Sequence, residues 1–204
     1  MDNHQKDHWE NIYTTKQPRE VSWTQDVPSI SLELIRNAGI SKDAKIIDVG
    51  GGDSKLVDFL LNEGYTNISV LDISEAAILR AKERLGNDAQ KVNWIVTDIL
   101  NFSPSVKYDL WHDRAAFHFQ TKPENIEKYL EIVETSVNGI LIVGTFSVDG
   151  PKKCSGLEIK QYDENLLQET FKRKGFACLE CKRENHVTPM QGIQNFIFCR
   201  FLKQ

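Results

Sequence analysis

The stretch Ile46-Ile47-Asp48-Val49-Gly50-Gly51-Gly52-Asp53-Ser54 constrains this chain more than any other. An apolar run of strand length, Lys45–Val49, enters a turn of three glycines. Leu56, Phe59, Leu60 and Leu61 then line one face of a helix. Strand, glycine turn and helix make the phosphate- or nucleoside-binding βα unit of doubly wound sheets, in which glycine lets the backbone approach a ligand closely. Two residues narrow the ligand. The third glycine of a G-x-G-x-x-G dinucleotide fingerprint would fall at position 55, which holds Lys55. Asp48 stands just before the first glycine, where a carboxylate repels a pyrophosphate and suits a ligand that carries positive charge.

Further strand ends follow in order. Val70-Leu71-Asp72-Ile73-Ser74 places Asp72 24 residues after Asp48, where an acid accepts hydrogen bonds from ribose hydroxyls. Trp94-Ile95-Val96-Thr97-Asp98-Ile99 ends a third strand, Tyr108-Asp109-Leu110-Trp111-His112-Asp113 a fourth, and Gly139–Phe146 is a fifth. These features, spread over residues 45–146, resemble the class I S-adenosylmethionine (SAM) methyltransferases, whose first motif reads acid-x-Gly-x-Gly. SAM carries an ammonium and a sulfonium, so an acid beside the turn makes physical sense. The resemblance implies SAM as cofactor. It assigns the cofactor side to Asp48, Gly50, Gly51, Gly52, Asp72, Ile73, Asp98, Ile99 and His112, with Asp98 toward the adenine amino group and the backbone of Ile99 toward the ring.

The alternation of strands and helices from residue 45 predicts a parallel sheet with helices on both faces. Strands are expected near 45–49, 68–71, 92–96, 108–112, 139–146, 176–183 and 195–202. Helices are expected near 29–38, 54–63, 75–85, 123–136 and 163–174, with Ser74 and Asp163 as N-caps, Pro123 at a first helical position and Gly175 beyond a helix end. The last two strands are too close in sequence for a crossover helix and should form an antiparallel hairpin. The expectation is therefore an α/β, Rossmann-like doubly wound sheet of seven strands in the order 3-2-1-4-5-7-6, the last strand antiparallel. One domain spans 1–204, with 1–28 as an N-terminal lid segment and 29–204 as core.

The N-terminal residues carry a narrower resemblance. His8-Trp9-Glu10-Asn11-Ile12-Tyr13 puts aromatics four apart on a short helix, and Val21-Ser22-Trp23 follows in an extended stretch. Thiopurine S-methyltransferase, plant thiol and halide methyltransferases and tellurite-resistance methyltransferases begin in a similar way. That resemblance implies a lid of Trp9, Tyr13 and Trp23 over SAM. The alternative is that these rings simply cover the sheet.

Methyl transfer is an in-line displacement that asks mainly for alignment and a dry pocket. A base is needed only if the acceptor arrives protonated. In open α/β sheets the ligand sits beyond the carboxyl ends of the strands at the switch point, here between the first and fourth strands. The segment after the fourth strand should then face the methyl group. Its candidates are His118 as base or donor, or else as a half-buried histidine bonded to a carbonyl, and Asp113 and Arg114 as substrate-holding residues or as a loop-shaping ion pair. A second wall is expected at Phe146–Leu157, where Cys154 is the one cysteine with a possible functional role. Cys178 and Cys181 match C-x-x-C, but no second such pair completes a zinc site, and residues three apart on a strand point to opposite faces. They are expected to be structural, and no metal is assigned.

Composition excludes several classes. At 40% hydrophobic and 26% charged residues over 204, the chain reads as one ordinary globular domain. No apolar run reaches the roughly 20 residues that cross a bilayer. Net charge is −4 and basic runs are short, which argues against nucleic acid. The N-terminus has no apolar signal core and the four cysteines suit a reducing compartment, so the cytoplasm is expected. The function expected is a monomeric, SAM-dependent methyltransferase acting on a small-molecule acceptor, with sulfur or another soft nucleophile favoured by the resemblance. The alternatives are a protein lysine methyltransferase and a SAM-binding protein without catalysis. Lys55 and Asp48 disfavour a nicotinamide-dependent oxidoreductase.

Overall fold

The computed structural model describes residues 3–204. Met1 and Asp2, the first residues of the expected lid segment, lie outside the described residues. Strands β1 (Ile46–Val49), β2 (Ile68–Asp72), β3 (Val92–Val96), β4 (Tyr108–Arg114) and β5 (Val137–Phe146) run parallel, each followed by a connection over one face of the sheet. Two short strands, β6 (Lys153–Cys154) and β7 (Leu157–Glu158), form a separate small hairpin. The chain then returns through β8 (Phe176–Val187) and β9 (Ile193–Lys203). The main sheet has the order β3-β2-β1-β4-β5-β9-β8, and β9 is antiparallel to both neighbours. With the two short strands set aside, this is the expected order 3-2-1-4-5-7-6.

Among the described residues six helices flank the sheet: α1 (Asn3–Thr15), α2 (Ser29–Asn37), α3 (Leu56–Asn62), α4 (Glu75–Leu85), α5 (Pro123–Ser136) and α6 (Glu164–Lys172). Their ends form for local reasons. The Ser74 hydroxyl accepts from the Ala77 N–H and the Asp163 carboxylate accepts from the Leu166 N–H, each satisfying an orphan donor of a first turn. Strand residues alternate between two apolar layers, as a sheet covered on both faces requires. On β5, Leu141 and Val143 pack with Trp111, Tyr129 and Phe171 under α5 and α6. Ile140 and Ile142 pack with Leu34, Leu60 and Phe198 under α2, α3 and α4.

The cysteines depart from expectation. A register shift between Cys178 and Glu180 puts a bulge in β8, and a bulge turns the next side chain over. The sulfurs of Cys178 and Cys181 therefore meet at 3.6 Å on one face instead of pointing apart. Cys181 is also joined to Cys199, its direct partner on β9, by a disulfide. The expectation of reduced cysteines throughout is corrected at this pair. Among the described residues no helix is long and apolar enough to cross a membrane.

Candidate active site

The glycine turn after β1 is shaped around two carboxylates. Gly50 and Gly52 have φ of +67° and +35°, in the left-handed region that favours glycine. A Cβ on Gly51 would stand 2.6 Å from Asp48 Oδ2, and one on Gly52 would stand 2.6 Å from Asp72 Oδ2. Gly50 is pressed from the other side, because its Cβ would lie 2.8 Å from that of Ala116. Side chains are excluded here so that the turn can wrap both acids.

Asp48 and His112 are direct neighbours in the β1–β4 register, so both side chains emerge on one face. Asp48 Oδ1 lies 2.7 Å from His112 Nδ1, and His112 Nε2 lies 2.8 Å from the Ser31 hydroxyl on α2. An ionised Asp48 can only accept, so Nδ1 carries a proton. In the neutral ring Nε2 then accepts from Ser31. Asp72 is buried, and its Oδ1 accepts from the Ser74 N–H at 2.8 Å. Burial pushes its pKa up to about 7. The Ser74 N–H opposes the shift, and neighbouring Asp48 and Glu10 add to it.

A cavity of about 230 Å³ opens at the carboxyl ends of β1 and β4. Every residue expected on the cofactor side lines it except Gly52, which lies behind the turn against Asp72. Asp98 also caps the turn that follows it, accepting from the Leu100 N–H at 2.9 Å. Trp9 packs edge-on against Trp23 at 5.5 Å and against Phe119 at 5.2 Å, and Tyr13 stands 6.2 Å from Trp23. These rings form an apolar roof on one side of the cavity.

Helix α1 is tied down by residues the sequence did not single out. Glu10 accepts from the Ser74 hydroxyl at 2.8 Å and from the Ala76 N–H at 3.1 Å, at the electropositive start of α4. His8 Nε2 lies 3.3 Å from Ser155 Oγ in the β6–β7 hairpin. Neither signal is legible in sequence, because a surface glutamate on a polar helix has no periodicity that marks its partner. A ligand under the roof should add contacts to this segment. Amide exchange in Asn3–Gln25 is expected to slow when S-adenosylhomocysteine is added, and equal protection in both states would make the segment a fixed cover.

The residues expected at the methyl acceptor separate. Arg114 lines the cavity, with Cys154 nearby on its wall. Asp113 does not reach it. Its Oδ1 accepts from the Ala116 and Phe117 N–H groups at 3.0 and 3.1 Å, and its Oδ2 accepts from the Tyr129 hydroxyl at 2.6 Å. Asp113 thus holds the loop after β4 in place rather than pairing with Arg114. His118 is fully buried and lies off the cavity wall. Its Nδ1 accepts from the Phe146 N–H at 3.3 Å, which leaves the proton on Nε2. Burial, and then the charge of Arg114, push its pKa down to about 3. A base must reach the acceptor and titrate near neutrality, so of the readings of His118 this geometry favours the structural one. His118→Ala should accordingly lower the melting temperature while SAM affinity and turnover stay within about twofold, since no lost proton transfer is involved. A hundredfold loss of turnover at an unchanged melting temperature would restore it as a base.

Comparison with known proteins agrees with this geometry. Residues 46–138 match the family model described as methyltransferase domain. A malonyl-[acyl-carrier protein] O-methyltransferase of Ilyobacter polytropus is 38% identical over 82 residues, 40% of this chain and 30% of that protein. The EEF1A lysine methyltransferase 2 of Danio rerio is 24% identical over 151 residues, 67% of this chain and 63% of that one. A solved structure described under conversion of a disulfide bond into a thioacetal group during echinomycin biosynthesis superposes with a TM-score of 0.74. It is 17% identical, over 98% of this chain and 93% of that chain. The chain spans less than half the length of the Ilyobacter relatives it matches.

Fold, site and family match point to one class: residues 46–138 match a methyltransferase domain, and the chain has the fold of solved SAM-dependent methyltransferases. The residues present fit that cofactor. Two buried carboxylates flank a glycine turn that a Cβ would fill, and aromatic rings roof the space where a nucleoside would lie.

Proposed function

We propose that this protein transfers the methyl group of SAM to a small-molecule acceptor, with sulfur and other soft nucleophiles within its range. SAM supplies an electrophilic methyl on a sulfonium. The chain's own residues do the rest. In this reading Asp72 accepts from ribose hydroxyls, Asp98 and Ile99 meet the adenine, and Asp48 faces the positive end of the cofactor. Trp9, Tyr13, Trp23 and Phe119 exclude water, which strengthens every electrostatic contact beneath them.

The observation that carries the small-molecule reading is the roof. Helix α1 and the loop to Trp23 cover the cavity and are fastened to α4 and to the β6–β7 hairpin, so the acceptor must fit under them. The similarity to thiopurine, thiol and tellurite methyltransferases supports a soft acceptor through Trp9, Tyr13 and Trp23. A second reading, a protein lysine methyltransferase, is favoured by the 24% identity to the Danio rerio enzyme over 151 residues.

The two readings part in one experiment. The protein is incubated with a cell extract and SAM labelled in the methyl group, and the products are divided into small molecules and macromolecules. Label in the small-molecule fraction is expected. Label on protein would favour the lysine reading, and SAM binding without transfer to either fraction would leave a non-catalytic binding protein.

A further inference from the structure

We infer that the methyl acceptor enters as an anion, held by the guanidinium of Arg114, and attacks without help from a base. This deepens the methyl-transfer reading above and rests on it.

The first observation is the free edge of Arg114. The residue ends β4 beside the glycine turn and lines the cavity. Its Nη1 donates to the Trp23 carbonyl at 3.0 Å, while Nε and Nη2 are buried with no partner. Those two nitrogens share one side of the guanidinium fork, the side that takes a carboxylate through two parallel hydrogen bonds. Burial lowers the pKa only to about 10, so the group stays charged at neutral pH. Glu184 attracts it, yet Glu184 Oε2 is itself buried without a hydrogen-bond partner, and Oε1 is engaged by Gln25. Glu184 offsets the charge of Arg114 without filling its fork, and an anion in the cavity would supply the two missing acceptors.

The second observation is independent of the first. The titratable groups on the cavity wall are already engaged: Asp48 pairs with His112, Asp72 accepts from the Ser74 N–H and in the proposed reading from the ribose, and burial raises the Tyr13 hydroxyl. His112 is locked between Asp48 and Ser31, and Asp113 and His118 are not on the cavity wall. The Cys154 thiol, on the wall itself, is pushed up to about 12 by burial and stays protonated. Between Arg114 and the loop that Asp113 holds, Ala115 sits at φ +68°, a strained conformation for a residue with a side chain. Such strain tends to collect where a chain is bent to serve a site.

An anion resolves both observations. A carboxylate, or a thiolate stabilised by the guanidinium, already has its attacking lone pair free. The oxygen or sulfur bonds to the methyl carbon as the bond from methyl to the sulfonium sulfur breaks. That sulfur keeps the electron pair and becomes a neutral thioether, and no proton moves.

The test takes the small-molecule product labelled in the extract and asks which atom bears the methyl. A methyl ester releases its label as methanol in base, which identifies a carboxylate acceptor. A base-stable product that releases its label as methane on Raney nickel desulfurisation identifies a methyl thioether, and hence a thiolate. Either supports the inference. A product that keeps its label through both treatments, as an N-methyl amine or an O-methyl ether does, overturns it while leaving methyl transfer intact. In parallel, Arg114→Gln should cut kcat/KM for that acceptor at least about 30-fold, the loss expected for a charge-assisted pair of hydrogen bonds, with SAM affinity held within about twofold and Arg114→Lys in between. Unchanged kcat/KM, or equal losses of SAM affinity and melting temperature, would make Arg114 a structural partner of Glu184 and overturn the inference. If no product forms at all, the methyltransferase reading fails first and this inference falls with it.

Discussion

Asp72→Ala should weaken SAM binding by at least about tenfold, because a buried carboxylate that accepts from two hydroxyls contributes roughly 1.5–3 kcal/mol. The wild-type protein should also show a pH dependence that the variant lacks. In the free protein the Asp72 pKa stands near 7, because burial opposes the charge. Bound hydroxyls favour the ionised form and lower that value in the complex. SAM affinity should therefore climb as pH rises toward about 7, by up to about tenfold per unit, and level off above it. Below that pH each binding event should release a proton, visible as a dependence of the titration heat on buffer. Without ligand the same group acts on stability in the opposite sense to an ion-paired acid. Its folded pKa lies above the unfolded value, so its contribution is present at low pH and is lost as pH rises through about 7. A SAM affinity that is flat from pH 5 to 8 would show that Asp72 does not hold the ribose.

Asp113→Ala should destabilise the fold by about 3 kcal/mol, through lost hydrogen bonds to a buried charged group and an unsatisfied partner. The carboxylate anchors the Ala116 and Phe117 amides and the Tyr129 hydroxyl inside the layer formed with Trp111 and Phe171. Asp113→Asn, which keeps one acceptor oxygen, should lose less. Denaturant unfolding measures both. A stable Asp113→Ala protein with turnover abolished would place the carboxylate in the chemistry instead of beneath it. Burial pushes the Asp113 pKa up to about 6, against the pull of its hydrogen bonds. This group too should favour the fold more at low pH than above that value.

Much of the architecture was legible because the parallel strands are buried on both faces and read as apolar runs ending in marked turns. Ile46–Val49 and Ile68–Asp72 are such runs, whereas Val92–Val96 is a half-exposed edge strand, and the Ser74 and Asp163 caps fixed two helix starts. The short β6–β7 hairpin was not legible, since two residues per strand leave no period to detect. Nor was the bulge at Cys178, where a single extra residue reverses the facing of a strand. The cofactor side was readable as glycines and acids at fixed spacing. The acceptor side was not, because adjacent residues there take opposite roles. Asp113 and Arg114 are neighbours on β4 and so point to opposite faces, and the turn through Ala115 at φ +68° then leaves His118 off the cavity wall. Side-chain direction in such a turn depends on partners far along the chain, among them Tyr129 and the Phe146 amide. The same holds for Ser31, which meets His112 from another helix.

The central claim is that the cavity at the glycine turn holds SAM between Asp48, Asp72 and the aromatic roof. Isothermal titration of the purified protein with SAM and with NAD, repeated for Asp72→Ala, tests it most directly. One site for SAM, no measurable heat with NAD and at least about a tenfold loss in the variant are expected. No binding of SAM, tighter binding of NAD, or an affinity indifferent to Asp72 would contradict the account.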